Sequence, residues 1–195
     1  MDLRDAGRIA GTDEAGRGPL AGPVVAAAVV LTPPMEYELL SMGLTDSKKL
    51  SAPKRELLFN RIVALGAPWA ARAASPARID RMNILQASLW AMAESVKRLP
   101  PCYDTVIADG TFAVSGLFCR SVALPKADSL VPAAAAASIV AKVLRDIIMT
   151  ALDGVYPGYG FAKHKGYPTA AHRAALEELG PSPVHRRSFT WRKVS

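Results

Sequence analysis

Apolar and polar positions along this chain follow two different periods. Short runs rich in Ile, Val and Ala, bounded by Gly and Pro, occur at 9–14 and 24–31. Similar runs lie at 69–74, at 105–108 and within 117–124. Runs of that length and composition predict strands. Elsewhere apolar residues recur every three or four positions. Ser51 offers an N-cap, Pro53 suits a first turn, and Leu57, Leu58 and Ile62 share a face, which predicts a helix to about Leu65. Met82, Leu85, Leu89, Met92 and Val96 predict a longer helix from Arg81 to Leu99, stopped by Pro100 and Pro101. The alanine-rich stretch Ala133 to Leu152 predicts the strongest helix, with Ile139, Val143, Leu144 and Ile147 facing inward. Thr169 caps a last helix that ends near Leu179, with Gly180 as its stop and His172 on its surface. Pro33 and Pro34 read as the end of the second strand, and 45–50 as a turn.

The pattern is therefore α/β. No repeat or linker divides it, so residues 1–195 read as one domain. Half of the residues are hydrophobic, enough for a sizeable core. Lys and Arg number 24 against 17 Asp and Glu, a formal charge of +7, and a basic surface draws polyanions. Cys102 and Cys119 form no CxxC pair, which argues against zinc and against a disulfide framework. There is no secretory h-region, and the longest apolar run, Leu20 to Leu31, is interrupted by Gly22 and Pro23. It falls short of the ~20 residues that span a bilayer. The sequence reads as a cytoplasmic protein without membrane contact, with a monomer as the default.

Candidate chemistry changes this picture most. The first strand delivers Asp13 and Glu14 to a turn of Gly16, Arg17 and Gly18. Glycine admits positive φ and close approach of a ligand to the main chain. Asp109 ends a later strand before Gly110, and Asp128 precedes the alanine-rich helix, whose N-terminus favours an ionised acid. Four acids from strand ends and a helix start can converge at one sheet edge. Hard oxygen ligands of this kind suit Mg²⁺ or Mn²⁺, and a pair of such ions can activate water against a phosphodiester. The three histidines, His164, His172 and His185, are widely spaced, and the acids form the better constellation for catalysis.

With these residues in view, the chain closely resembles the ribonuclease HII family. The motifs are TDEAGRGPLAGPVVAA at 12–27, TDSKKLS at 45–51, ADG at 108–110, KADSLVPAAAAASIVAKVLRD at 126–146, YGFAKHKGYPT at 159–169 and HRRSF at 185–189. The resemblance implies a ribonuclease H-like fold, a mixed sheet flanked by helices with a helical C-terminal part. It implies hydrolysis of the RNA strand of RNA–DNA hybrids and nicking of duplex DNA at embedded ribonucleotides. It implies divalent metal, Mg²⁺ or Mn²⁺, on Asp13, Glu14, Asp109 and Asp128. Gly16, Arg17 and Gly18 match the segment that meets the ribose 2′-hydroxyl through its backbone. Tyr167 matches a tyrosine that packs on the next, deoxy, sugar. Ser47, Lys48, Lys49, His164 and Lys165 are candidate phosphate contacts. Asn83 and Arg145 read as structural.

Ala108 stands where larger aliphatic residues are common in the family, which is expected to be a packing change. The Gly-Arg-Gly sequence, and a start shortly before the first strand, favour ribonuclease HII over ribonuclease HIII, which usually carries an N-terminal substrate-binding domain. A hybrid-binding module without catalysis and a junction resolvase are the competing readings. The complete set of acids argues against the first, and the 2′-hydroxyl-reading segment against the second. Contact with the replication machinery is conceivable, but no motif in the basic tail at 181–195 supports it.

Overall fold

A computed structural model describes residues 7–190; the end of the basic tail, 191–195, lies outside the described residues. The strands are β1 Ile9–Ala15, β2 Val24–Val30, β3 Trp69–Ala74, β4 Thr105–Asp109 and β5 Arg120–Leu124. They form one sheet in the order β3-β2-β1-β4-β5. The β1–β2 and β2–β3 pairs are antiparallel, whereas β1–β4 and β4–β5 are parallel. The helices are α1 Pro33–Ser41, α2 Ala52–Ala64, α3 Pro76–Met82, α4 Ile84–Val96, α5 Ala127–Leu130, α6 Pro132–Val155, α7 Phe161–His164 and α8 Ala170–Leu179, with a 3₁₀ turn at Ser47–Lys49.

The sheet is covered on both faces, which is why β2 is apolar without alternation. α6, α1 and α2 pack on the face that carries Ala27, Val29 and Ile107. α4 packs against Val24 and Ala26 on the other. Gly11 brings α6 close: a side chain there would strike the backbone of Ala133 and Ala134. The same alternation sets the chemistry. Gly11 and Asp13 share one face of β1, and Ile107 and Asp109 share one face of β4. Gly11 lies opposite Ile107 and Thr12 opposite Ala108. Carrying that register one residue further sets Asp13 beside Asp109 at the ends of neighbouring parallel strands.

Several expectations need correction. Pro33 and Pro34 do not only end β2; they occupy the first turn of α1, where proline loses no helical hydrogen bond. The helix expected from Arg81 to Leu99 is two helices broken at Asn83, whose φ is 67°. Its Oδ1 accepts from the Gln86 N–H and caps α4, a role open to a short amide. Leu57 and Ile147 are exposed rather than inward. The distal half of α6 runs past the sheet and buries Arg145 and Met149 instead. His172 is fully buried.

Candidate active site

Three carboxylates converge as the sheet register requires. One oxygen each from Asp13, Asp109 and Asp128 lies within 4.8 Å of the others. Asp13 is 3 % and Asp128 5 % exposed. The Ala127 N–H donates to Asp109 Oδ1 at 2.7 Å, which ties the start of α5 to the end of β4. Glu14 stands outside this trio but within its field, 3.5 Å from the Arg17 guanidinium. Burial, then Glu14 and Asp109, push the Asp13 carboxyl well above its ordinary pKa. Burial, then Asp109, raises Glu14 against the pull of Arg17. Burial, then Asp109 and Asp46, raises Asp128. The N-terminus of the alanine-rich helix therefore does not dominate at Asp128. The acid sits in a one-turn helix separated from α6 by Val131, and burial, with Asp109 and Asp46 beside it, decides the direction.

Crowded, buried oxygen donors with raised pKa values call for a cation. Hard divalent ions fit this donor set. Lys48 answers part of the demand: its Nζ is 4.0 Å from Asp128 Oδ2. Burial works to lower its pKa, but Asp13, Asp46 and Asp128 outweigh that and raise it. Lys48 and Lys49 line the acidic cleft, about 300 Å³ in volume, with Asp46 and Lys126. Asp46 and Lys126 escaped sequence reasoning, although both lie inside the quoted motifs. A larger groove of about 540 Å³ between α2 and α6 lies elsewhere and includes Ala52, Val143, Ile147 and Ala151.

The other candidates divide. Ser47 is buried, and Ser138 Oγ lies 2.6 Å from its hydroxyl, so the side chain faces the core rather than the cleft. Both ring nitrogens of His164 are occupied by the main chain, Nε2 at 2.6 Å from the Tyr159 carbonyl and Nδ1 accepting from the Gly166 N–H. Lys165 Nζ donates to Thr150 Oγ1 at 2.7 Å and lines the larger groove. Tyr167 is half-exposed, and its ring stands over Gly18: a methyl group added at Gly18 would lie 3.8 Å from Tyr167 Cε1.

A family model described as ribonuclease HII matches residues 10–192. A ribonuclease HII of Nitrosococcus oceani is 52 % identical over 182 residues, covering 93 % of this chain and 88 % of that protein. The chain belongs to the ribonuclease HII family. In solved structures it is similar to the ribonuclease HII of Archaeoglobus fulgidus in a complex with PCNA. That match has 28 % identity, a TM-score of 0.79, and coverage of 96 % of this chain and 98 % of the other. Ribonuclease H2 of Pyrococcus horikoshii gives 26 % identity and a TM-score of 0.76, with 94 % of each chain covered. The chain is thus a ribonuclease H, an endonuclease acting on RNA–DNA hybrids, and its sheet and helices are those the family resemblance implied.

Two buried arginines hold the chain from Gly16 to Pro23: Arg186, which sequence reasoning passed over, and Arg145, which it read only as structural. Arg186 Nε donates to the Gly22 carbonyl at 3.0 Å, Nη1 to Arg17 at 2.8 Å and Nη2 to Gly16 at 2.6 Å. Arg145 donates from Nε to Pro23 at 3.0 Å and from Nη2 to Ala21 at 3.3 Å and Lys165 at 3.0 Å. Both side chains are 1 % exposed, and among the described residues neither makes an ion pair. Burial, then Arg145, pushes Arg186 down to about 9, so it keeps its charge at neutral pH. Gly16, with φ of 96°, has no side chain because one would strike Arg145, and Gly22 because one would strike Met149. The signal for Arg186 was its place in HRRSF; the sequence could not say that its target was backbone.

Proposed function

We propose that this enzyme nicks duplex DNA on the 5′ side of an embedded ribonucleotide, leaving 3′-hydroxyl and 5′-phosphate ends. One observation carries the reading: Gly18, three residues beyond the end of the strand that carries the acids, lies bare beside the Tyr167 ring although a side chain there would fit. The missing side chains of Gly16 and Gly22 are explained by internal packing. That of Gly18 is not, since a methyl group there meets only Tyr167, at 3.8 Å. A bare main chain facing an aromatic plane suits a sugar, and a 2′-hydroxyl there tells RNA from DNA.

Asp13, Glu14, Asp109 and Asp128 would hold Mg²⁺ or Mn²⁺. When bound, such ions supply a water of lowered pKa and neutralise charge developing on the phosphate. The chain's own residues do the rest. Arg17 holds Glu14 in place, Lys48 and Lys49 meet the phosphates at the cleft, and Gly16 to Gly18 present main-chain groups to one ribose. Tyr167 takes the following deoxyribose, where a 2′-hydroxyl would crowd the ring. Substrates are then hybrids and ribonucleotide-containing duplexes, handled in the cytoplasm by a single-domain monomer.

The test maps cleavage of a labelled duplex with one ribonucleotide, for the wild type and Tyr167→Ala. The expected nick lies 5′ of the ribonucleotide, and the variant loses junction preference by about tenfold, ~1.4 kcal/mol of transition-state stabilisation. A 2′,3′-cyclic phosphate end, cleavage only inside longer RNA runs, or an unaltered preference in the variant would overturn the reading.

A further inference from the structure

The turn from Gly16 to Pro23 is shaped from behind by two buried charges. Arg186 gathers the carbonyls of Gly16, Arg17 and Gly22, and Arg145 those of Ala21 and Pro23. Arg145 also takes the Lys165 carbonyl, two residues before Tyr167, and its guanidinium carbon lies 5.9 Å from the Tyr167 ring centre. The Leu20 N–H donates to the Gly166 carbonyl at 2.8 Å, and the Arg186 N–H to the Leu20 carbonyl at 2.8 Å. Asp80 fixes the strand of chain that carries Arg186, accepting from the N–H groups of Arg187 and Ser188, both at 3.0 Å. Buried guanidinium groups are normally matched with carboxylates; among the described residues the side-chain hydrogen bonds of these two go to backbone oxygens, with the Tyr167 and Phe189 rings beside them.

We propose that Arg145 and Arg186 are positioning residues for sugar discrimination. They draw the carbonyls of the turn inward, which orients its main chain toward the ribose, and they fix the spacing between the turn and Tyr167. This rests on the ribose reading of the Gly16–Gly18 turn given above. A carbonyl drawn toward a buried cation cannot face the substrate, and the peptide plane it belongs to turns with it. The guanidinium shape matters as much as the charge. Five N–H donors in a rigid plane reach three carbonyls at once, which a lysine ammonium on a flexible stem does not reproduce. The pair is also joined to both recognition elements. Arg186 bonds the carbonyls of the turn and packs over the Phe189 ring at 4.9 Å, whereas Arg145 spans the turn and the chain leading to Tyr167.

The experiment compares wild type, Arg186→Lys and Arg145→Lys. Mn²⁺ binding is measured first, since the acids lie on β1, β4 and α5 and should keep their affinity in a folded variant. The ratio of kcat/KM for a duplex with one ribonucleotide to that for an RNA–DNA hybrid, and the cleavage register, are then read. A displaced turn should cost about a hundredfold on the single ribonucleotide, the scale of a ~1 Å misplacement, with nicks spread over neighbouring positions. A second measurement needs no variant. With Ca²⁺ in place of Mg²⁺, the Nε–H signals of both arginines in wild type should shift on binding a duplex with one ribonucleotide, and not on binding all-DNA duplex. If wild type fails to nick at the ribonucleotide, the ribose reading itself fails. If wild type nicks there, but folded lysine variants keep its ratio and register, or the Nε–H signals treat both duplexes alike, the positioning role is overturned.

Discussion

Acid should weaken this fold through its histidines before it reaches most of its carboxylates. His164, His172 and His185 lie together under the Tyr167 segment, with Tyr159 and Phe161. The network fixes their protons. His172 Nδ1 is 2.9 Å from the Tyr167 carbonyl, which can only accept, so Nδ1 carries the hydrogen. His172 Nε2 then accepts from His185 Nε2 at 3.0 Å, and His185 Nδ1 accepts from the Ser182 N–H at 2.9 Å. No ring nitrogen is left to take a proton without turning donor against donor. Burial, then His172, holds His185 down from 6.5 to about 4, and burial also lowers His172. The unfolded chain takes up a proton as pH falls through 6.5, and the folded chain does so only near 4. Stability is therefore complete above the upper value and drains away between the two. At ~1.4 kcal/mol per pH unit the interval is worth about 3 kcal/mol, or about 6–12 °C in melting temperature for a chain of this size. The raised carboxyls of Asp13, Glu14 and Asp128 act with the opposite sign, so the raw pH curve mixes two effects. Urea denaturation from about pH 7.5 to about pH 4.5, for wild type and His185→Gln, separates them. Glutamine keeps an amide facing His172 but does not titrate. Wild type should lose about 2–3 kcal/mol more than the variant over that range. Parallel curves would refute the tautomer assignment.

Two further outcomes follow from the acid cluster. Asp13→Asn should raise the melting temperature of the enzyme in EDTA, because it removes a buried charge held against Asp109 and Glu14, and should abolish the stabilisation given by Mg²⁺. Cleavage should fall about a thousandfold, and near-normal activity at low metal would remove Asp13 from the site. Lys48→Ala should flatten the log–log salt dependence of duplex binding by about one, as expected for one lost phosphate contact; an unchanged slope would assign Lys48 to the acids alone.

How much of this was legible in the sequence depends on distance along the chain. Asp13 and Asp109 could be placed because each ends an apolar run, and strand ends at one sheet edge converge. α1 was missed because Pro33 and Pro34 both stop strands and start helices, and only the tertiary setting chooses. The break at Asn83 was hidden because apolar spacing continues across it; the positive φ leaves no mark on the pattern. His172 looked like surface because a lone histidine on a helix usually is, and its partner, His185, lies 13 residues away. Arg145 was read as structural, and the structure gives that a content: six carbonyls shared with Arg186, five in one turn. Charge counting cannot reveal arginines whose partners are backbone.

The two halves of the site adjoin in the chain but are held by different contacts. Asp13 and Glu14 belong to β1, Gly16 follows that strand directly, and the Glu14–Arg17 pair bridges the junction at 3.5 Å. The sheet register and the Ala127–Asp109 bond hold the acid trio, and the two arginines hold the turn. The electrostatics have the same division. Acids crowd one side and require cations. Two guanidiniums with no ion pair among the described residues lie behind the other and favour a polyanion. The chain's +7 charge is not merely spread over the surface; part of it is buried behind the Gly16–Pro23 turn. Burying it costs desolvation, and the backbone carbonyls offset that cost only while the turn holds its shape. On the proposed reading of the turn, the buried charge that favours a polyanion is thus maintained by the same hydrogen bonds that would set selectivity for sugar.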